Sequence, residues 1–261
     1  MSDWYDTPLY YDIIFDQDTG LEADFLEKMM QRHAGIRPSH QAWRILEPAC
    51  GSGRLITELA GRGHDVSGFD LNPHMLEHAR RKVQRTGRQA LLWQDRMESF
   101  KLPFRLRYDL AHCLVSTFKY LLDEKSAISH LHQVSKALRS GGLYVLGLHL
   151  TDYEDGGAAH ERWVGRRNGT QVICNTHTWP PDRRKRTEDV RTRLRITRRG
   201  QSKTLETRWQ FRTYNAAQIK ALLARINSFE LAACHDFTYD PQHQRRLDDS
   251  YADVVLILRK R

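Results

Sequence analysis

One short stretch places an acid and several small residues where a predicted strand ends. The segment ILEPACGSGRL covers residues 45–55 and contains Glu47, followed by Ala49, Gly51 and Gly53. Small residues let a ligand approach the backbone, whose N–H groups can face it. The stretch therefore predicts a ligand contact at the end of this strand, with a carboxylate beside it.

Similar chemistry follows at the ends of the next predicted strands. Asp70 lies 19 residues after Gly51, and a carboxylate there can accept hydrogen bonds from both hydroxyls of a ribose. In LLWQDRMESF, Asp95 precedes Met97, and this pair can hold an adenine by its amine and its face. The fourth strand ends near Cys113. Each feature alone also fits a tight turn, a helix cap or a loop acid, but their order and spacing together predict one site.

The same residues distinguish between ligands. A dinucleotide fingerprint needs a third glycine where this chain has Ile56, and no phosphate-binding G-x-x-x-x-G-K-[ST] loop occurs in the sequence. Glu47 precedes Gly51 by four residues, and a carboxylate there does not favour a pyrophosphate. It suits a cationic ligand that combines a sulfonium with an ammonium group.

Alternating strands and helices are predicted to position these residues. Apolar runs that fit buried strands alternate with helical patterns through residue 150, which is typical of a parallel sheet covered on both faces. The predicted strands are 44–47, 66–71, 89–93, 108–114, 143–148, 229–237 and 252–258, and the predicted helices are 20–34, 55–60, 73–85, 124–138 and 215–226. The fold class is therefore α/β, with a doubly wound, mostly parallel seven-stranded sheet.

An antiparallel insertion interrupts this pattern after the fifth strand. Residues 158–213 alternate apolar and polar side chains with period two, and RRGQS at 198–202 predicts a turn between two strands. We predict one domain from 1–150 together with 214–261, and an insertion at 151–213 that serves as a lid or a dimer contact.

The positive charge is concentrated in this insertion. The chain has a net charge of +9, and residues 181–212 contain twelve Lys or Arg against four acids, an excess of 12 − 4 = 8. Arginines at 191, 193 and 195 alternate with apolar residues and therefore fit the solvated or dimer-facing side of a strand, as charge runs usually do. Nucleic-acid binding and a pocket for an acidic small molecule remain open alternatives.

The remaining composition indicates a cytoplasmic protein. No apolar run is long enough to span a membrane, and the acidic, aromatic N-terminal segment MSDWYDTPLYYDIIFD is unlike a signal peptide. The four cysteines are far apart and form no C-x-x-C pair, so we expect free thiols and no metal site.

The motifs resemble those of the class I S-adenosylmethionine-dependent methyltransferases. LEPACGSGRL resembles their first motif, VSGFDLNPHMLEHAR their second, and WQDRMESF and YDLAHCLVSTFKYL the next two. The resemblance implies S-adenosylmethionine as the cofactor and in-line transfer of its methyl group. The cofactor-binding residues it implies are Tyr11, Glu47, Ala49, Cys50, Gly51, Gly53, Asp70, Leu71, Met75, Asp95, Arg96, Met97, Cys113 and Leu114. Ala49 replaces the usual first glycine of the first motif.

Fewer sequence features indicate the residues that contact the methyl acceptor. Tyr11 is similar to N-terminal tyrosines that cover the cofactor in small-molecule N-methyltransferases, and His149 follows the fifth strand, so both are predicted catalytic residues. Predicted substrate contacts are Ser116, Thr117, Phe118, His149 and Trp163. Packing or helix capping would explain each of them equally simply.

We therefore predict an enzyme that methylates nitrogen or oxygen of a small-molecule acceptor. The fourth strand is followed by CLVS and not by the NPPY or DPPY of enzymes that modify nucleobases. The alternatives are an RNA or protein methyltransferase that docks through the Arg-rich insertion, and a non-catalytic S-adenosylmethionine-binding module.

Overall fold

The described part of the chain forms two β-sheets and six α-helices. The computed structural model describes residues 4–35 and 42–261; residues 1–3 of the N-terminal segment lie outside this part. The helices are α1 (Pro8–Phe15), α2 (Thr19–His33), α3 (Arg54–Gly61), α4 (Pro73–Arg85), α5 (Glu124–Ala137) and α6 (Ala216–Ala224), with 3-10 turns at Trp4–Asp6 and Thr117–Tyr120. Within the described residues, no helix has the length and apolar character needed to cross a membrane.

The first sheet has seven strands in the order β10-β11-β5-β4-β1-β2-β3. Its strands are β1 (Arg44–Pro48), β2 (Asp65–Asp70), β3 (Leu91–Gln94), β4 (Tyr108–Cys113), β5 (Leu138–His149), β10 (Phe229–His235) and β11 (Asp253–Lys260). All neighbours pair in parallel except β11, which runs antiparallel to both β5 and β10. This confirms the predicted doubly wound sheet.

The core lies on both faces of this sheet. Neighbouring residues of β1 illustrate the arrangement, because Ile45 packs with α2 and α3 while Leu46 packs with α5 and α6. Fully buried parallel strands need apolar side chains on both faces, which explains the continuous apolar runs in the sequence. The carboxyl ends of β1 to β4 consequently lie along one edge of the sheet.

The largest difference from the predicted bounds lies at the start of β5. The predicted helix ends at 138 and the predicted strand begins at 143, but α5 ends at Ala137 and RSGG at 139–142 belongs to β5. Gly141 has φ +78°, and an added Cβ would lie 2.9 Å from the backbone of Gly35. The glycines are therefore needed for a close backbone approach between the end of α2 and β5.

The second sheet is antiparallel, as the alternation predicts. Its strands are β6 (Ala159–Arg167), β7 (Thr170–Thr178), β8 (Thr187–Arg198) and β9 (Gln201–Arg212), paired in that order. Its inner face packs on the N-terminal segment, with Ile13 and Ile14 against Val172 and Leu194. The β6 strand and α1 approach so closely that a Cβ added to Gly165 would lie 2.1 Å from the Ile13 carbonyl oxygen. The division of the chain into two domains stays a prediction.

Candidate active site

A cavity of about 540 Å³ lies between the carboxyl ends of β1–β3 and the second sheet. Its first wall, here called the strand-end wall, comprises Ala49, Gly51, Asp70, Leu71, Asn72, Pro73, Asp95, Arg96, Met97 and Glu98. Its second wall, here called the aromatic wall, comprises Tyr5, Tyr11, Thr117, Tyr120, Leu121, Thr207, Arg208 and Trp209. Ligands of doubly wound sheets bind at this edge.

The two glycines of the first motif have different roles. Both have positive φ, +53° at Gly51 and +71° at Gly53. A Cβ added to Gly51 would meet nothing within 4 Å, because it would project into open space. A Cβ added to Gly53 would lie 2.6 Å from the Cβ of Ala79 in α4. Gly51 therefore leaves room beside the cavity, whereas Gly53 lets α3 and α4 pack.

Asp70 is held at the end of β2 by two backbone groups. Its Oδ2 accepts a hydrogen bond from the Gly51 N–H at 2.8 Å, and its Oδ1 accepts one from the Asn72 N–H, also at 2.8 Å. Burial raises the pKa of this carboxyl, while those backbone hydrogen bonds act against the rise. Each oxygen retains a further lone pair, so the carboxylate can accept two hydroxyls from a ligand in the cavity.

A second carboxylate and two apolar side chains extend the strand-end wall. Asp95 is fixed in the same way, since its Oδ1 accepts from the Arg96 N–H at 2.8 Å and its Oδ2 from the Lys101 N–H at 2.9 Å. Leu71 is 54% exposed although it is a large hydrophobic residue. Together with Met97 it offers an apolar surface to a flat ring.

Glu47 is buried beside this wall, two residues before Ala49. Burial is the largest cause that raises the pKa of its carboxyl to about 8, and nearby Arg54 opposes the rise. Among the described residues, its Oε2 atom has no hydrogen-bond partner. Its Oε1 lies 4.0 Å from Nδ1 of His112, too far for a hydrogen bond, and burial lowers the pKa of His112 to about 3. Because His112 is neutral, it supplies no positive charge to Glu47, and Arg54 is the cation that acts on this carboxyl.

Arg54 connects Glu47 to the aromatic wall. Its guanidinium forms a buried ion pair with Glu22 of α2. It also acts electrostatically on both Glu47 and Tyr11. Because Glu22 already neutralises Arg54, the cluster as a whole can still accept a cation next to Glu47.

The aromatic wall consists of rings from three parts of the chain. Tyr5 lies 6.1 Å from Tyr11, 6.2 Å from Tyr120 and 6.5 Å from Trp209, measured between ring centroids. The hydroxyls of Tyr5 and Tyr120 share a hydrogen bond. The Trp4 ring stacks on Trp209 at 5.6 Å, and the backbone N–H of Trp4 donates to the Thr207 Oγ1. These contacts fix the N-terminal segment to β9.

Burial determines the protonation of these tyrosines. It raises the pKa of Tyr11 to about 12 and that of Tyr5 well above its ordinary value. Both hydroxyls are therefore protonated at neutral pH. They can donate or accept hydrogen bonds, but they are not bases.

Several predicted cofactor residues lie next to the cavity without lining it. Cys50, Cys113 and Leu114 are buried at the ends of β1 and β4. Met75 belongs to α4 and its side chain is 1% exposed. The structure thus brings Tyr11, Ala49, Gly51, Asp70, Leu71, Asp95, Arg96 and Met97 together around the cavity and leaves Met75 in the core.

The predicted substrate residues are more scattered. Of these, Thr117 lines the cavity. Phe118 is fully buried against Tyr214, and Trp163 packs edge-on against Phe15 of α1. The Ser116 Oγ accepts a hydrogen bond from the His149 N–H at 2.9 Å.

His149 lies outside the cavity lining. Its Nδ1 is 2.5 Å from Oδ1 of Asp253 on the neighbouring strand, and its ring contacts Phe237. The contacts with Asp253 and Phe237 are sufficient to explain the position of the His149 side chain. The structure gives no contact between its imidazole and the cavity.

Sequence reasoning missed two aromatic contributors to the site. Tyr120 follows β4 closely in the chain, so an aromatic residue after that strand was an available signal. Thr207 and Trp209 lie on the inner face of β9, which the period-two pattern indicates, but nothing in the sequence says what that face touches.

Backbone strain marks the segment after β4, because Val115 and Ser116 have φ of +54° and +62°. Such values are rare for a β-branched residue and cluster at functional sites.

A family match covers the strand-end wall. Residues 45–142, which contain the strand-end wall, match the model of a methyltransferase domain. The Bacillus subtilis (strain 168) protein YqeM, whose name describes a methyltransferase, is 30% identical over 106 residues, which is 41% of this chain and 42% of that protein. The chain spans less than half the length of the curated relatives it matches.

Solved structures extend the similarity to the whole fold. An S-adenosylmethionine-dependent methyltransferase from Clostridium acetobutylicum ATCC 824 superposes with a TM-score of 0.75 at 17% identity, over 96% of both chains. The sugar N-methyltransferase KedS8 from Streptoalloteichus sp ATCC 53650 superposes with a TM-score of 0.72 at 18% identity, over all of this chain and 94% of the other. At these identities the likeness concerns the fold, which here includes the second sheet. The family match confirms the predicted resemblance to methyltransferases, and the solved structures confirm the predicted fold.

Proposed function

We propose that this protein transfers a methyl group from S-adenosylmethionine to the nitrogen of a small-molecule amine. The observation that supports this best is the contrast between the two cavity walls. One offers fixed carboxylates and open backbone, and the other offers aromatic rings with protonated hydroxyls. The first suits the cofactor and the second suits an amine.

The strand-end wall fits S-adenosylmethionine part by part. Asp70 has free lone pairs for the ribose hydroxyls, and Asp95, Leu71 and Met97 suit the adenine. The unpartnered Glu47 oxygen suits the ammonium group of the methionine part. The missing third glycine and the acid beside the turn argue against a pyrophosphate-containing cofactor.

When bound, the cofactor supplies a methyl group already activated by its sulfonium. The protein then has to align the acceptor, and correct alignment alone lowers the barrier substantially. An amine attacks through its own lone pair once it is neutral. An alcohol would also need a base close to its hydroxyl.

No such base faces the acceptor side in the part of the chain that the structure describes. The residues of the aromatic wall include no histidine and no carboxylate, and burial raises the pKa values of Tyr5 and Tyr11 there. Aromatic faces stabilise the positive charge that develops on nitrogen during transfer. Nitrogen as the methylated atom also agrees with the name of KedS8, a sugar N-methyltransferase of similar fold.

A screen for S-adenosylhomocysteine release tests the proposal. Small amines, including amino sugars, would be compared with the matching alcohols, in which a hydroxyl replaces the amine. We expect release with one or more amines and none with their alcohol counterparts. Release with alcohols alone would contradict the nitrogen target, and tight cofactor binding without any release would indicate a binding module. Release that requires RNA or protein would identify a macromolecular acceptor.

A further inference from the structure

A second cavity, of about 560 Å³, lies at the turn between β8 and β9. It is open to solvent, because the turn residues that line it are exposed. Its polar lining consists of Tyr10, Arg198, Arg199, Gln201, Ser202 and Lys203. It is separate from the reaction cavity, although neighbouring residues of α1 reach both, with Tyr10 in one and Tyr11 in the other. We refer to it as the hairpin cavity.

Three cations line the hairpin cavity without a compensating acid. Within the described chain, Arg198, Arg199 and Lys203 form no ion pair, and no carboxylate belongs to the lining. Lys203 has its Nζ 5.1 Å from the ring centroid of Tyr10, which orients the ammonium without neutralising it. Asp16, an acid of the same region, is already paired with Lys82 and Arg167.

At the opposite end of the same sheet, acids accompany several of the cations. There Arg183 pairs with Glu154 at 2.9 Å, and Lys119 pairs with Glu188 of β8 at 2.7 Å. A cavity at that end is lined by Arg183 and by three acids, Asp152, Glu154 and Asp249. The hairpin cavity differs because no acid lines it.

The turn itself gives an independent reason to assign a function to Arg199. Two hairpins lie side by side at this end, and both have two-residue turns with positive φ at both residues. The β6–β7 turn uses Asn168 and Gly169, the residue pair that this geometry favours. The β8–β9 turn uses Arg199, at φ +49°, before Gly200. An arginine in the left-handed region is strained, and such strain is retained where the side chain has a use.

We propose that the hairpin cavity binds a small molecule through a phosphate group. Two guanidiniums and an ammonium supply charge-assisted donors, and the Ser202 hydroxyl and Gln201 amide can supply neutral ones. The planar guanidinium group of arginine can donate two hydrogen bonds at once to the oxygens of a phosphate group. The volume lies within the range of small-ligand pockets, which favours a compact ligand over an extended polymer.

This site is distinct from the methyl-transfer site. Lys203 and Thr207 are four residues apart on β9, which corresponds to about 13 Å of strand. The proposal therefore does not depend on the proposed function. Binding at the hairpin cavity can be measured with or without S-adenosylhomocysteine.

Calorimetric titration of the full chain with inorganic pyrophosphate tests the site. We expect saturable binding by the wild-type protein and roughly tenfold weaker binding after Arg199→Asn or Arg198→Gln. Arg184→Gln is the matched control, because it removes an exposed arginine at the other end of the sheet. Arg199→Asn should also raise the melting temperature, since asparagine tolerates the left-handed conformation better. Weaker binding together with greater stability cannot result from partial unfolding.

Three results would overturn the proposal. The first is absence of saturable pyrophosphate binding to the wild-type protein at millimolar concentrations. The second is wild-type binding by both cavity variants, or an equal loss in Arg184→Gln. The third is much tighter binding of a short single-stranded RNA with the same sensitivity to Arg198→Gln and Arg199→Asn, which would identify a nucleic-acid surface instead.

Discussion

The two walls of the reaction cavity differ in how the chain builds them. The strand-end wall comes from residues between Ala49 and Glu98, at the ends of three adjacent parallel strands. The aromatic wall combines residues from Tyr5 to Trp209, contributed by the N-terminal segment, the turn after β4 and the second sheet. Each residue of the first wall is fixed by its own strand, whereas those of the second are fixed by packing between distant segments.

This difference predicts separable effects of mutation. Changes in the strand-end wall should alter cofactor affinity, and changes in the aromatic wall should alter the use of the acceptor. A variant in one wall that affected both ligands equally would weaken the distinction.

The largest expected effect concerns Gly51. Gly51→Val should weaken S-adenosylhomocysteine binding by at least roughly a hundredfold, because the side chain would project into the open space beside the cavity. Calorimetry measures this loss. Gly63→Val is the matched control, since Gly63 also has positive φ and open surroundings but lies after α3, outside the cavity lining. Equal loss in both variants would mean that backbone strain, and not blocked space, is responsible.

Glu47 should make cofactor binding depend on pH. Because burial raises the pKa of this carboxyl to about 8, it is mostly protonated at neutral pH without ligand. The ammonium group of S-adenosylhomocysteine, bound beside Glu47, favours the ionised carboxyl, so binding should release a proton and strengthen up to tenfold per pH unit between about pH 6 and 8. Calorimetry of S-adenosylhomocysteine in buffers of different ionisation enthalpy measures the release. Glu47→Gln should abolish it, and proton release that persists in this variant would assign it to another group.

The same pKa shift has a consequence for stability without ligand. In the unfolded chain the Glu47 carboxyl ionises near its ordinary value of 4.5, below its folded value. Between about pH 4.5 and 8, unfolding therefore releases a proton from Glu47. The contribution of Glu47 to the free energy of unfolding consequently falls as the pH rises through this range. Glu47→Gln should lack this decline in denaturant titrations.

A smaller effect is expected in the aromatic wall. Trp209→Phe should raise the KM for the amine acceptor about three- to tenfold, because it reduces the ring surface facing the cavity. It should leave S-adenosylhomocysteine affinity unchanged. Trp163→Phe, on the same sheet but packed against Phe15, is the control and should change neither value. If Trp209→Phe weakened the cofactor instead, the two walls would not be functionally distinct.

The smallest effect is expected at His149. Its imidazole is paired with Asp253 and lies outside the cavity lining, so His149→Ala should change kcat less than about twofold. The pH dependence of kcat/KM should keep its wild-type form. A hundredfold loss with an altered pH profile would show that His149 is the base suggested by its position after the fifth strand.

The sequence predicted the first wall better than the second for a physical reason. Asp70 and Asp95 end consecutive parallel strands, and strand ends of a doubly wound sheet must lie along one edge, so spacing alone brings them together. Trp209 reaches the site only because Trp4 stacks on it and the N-terminal segment packs on the second sheet. A period-two pattern shows which face of β9 is apolar but not what covers it.

His149 and Phe118 were predicted on the same ground, but the structure places neither in the cavity lining. His149 ends β5 and Phe118 follows β4, and local pairing directs His149 to Asp253 while packing directs Phe118 to Tyr214. A strand end brings a residue near the edge of the sheet. It does not determine whether the side chain enters the cavity or the core.

The central claim is that the strand-end wall binds S-adenosylmethionine through Asp70. Calorimetric titration with S-adenosylhomocysteine of the wild-type protein, Asp70→Ala and Asp65→Ala tests it most directly, because both acids belong to β2 but Asp65 lies at the opposite end. Thermal unfolding would show that each variant is folded. The account predicts that Asp70→Ala weakens binding roughly thirtyfold or more, as expected for two lost hydrogen bonds to a charged group, while Asp65→Ala binds like the wild type. Wild-type affinity in folded Asp70→Ala would contradict it.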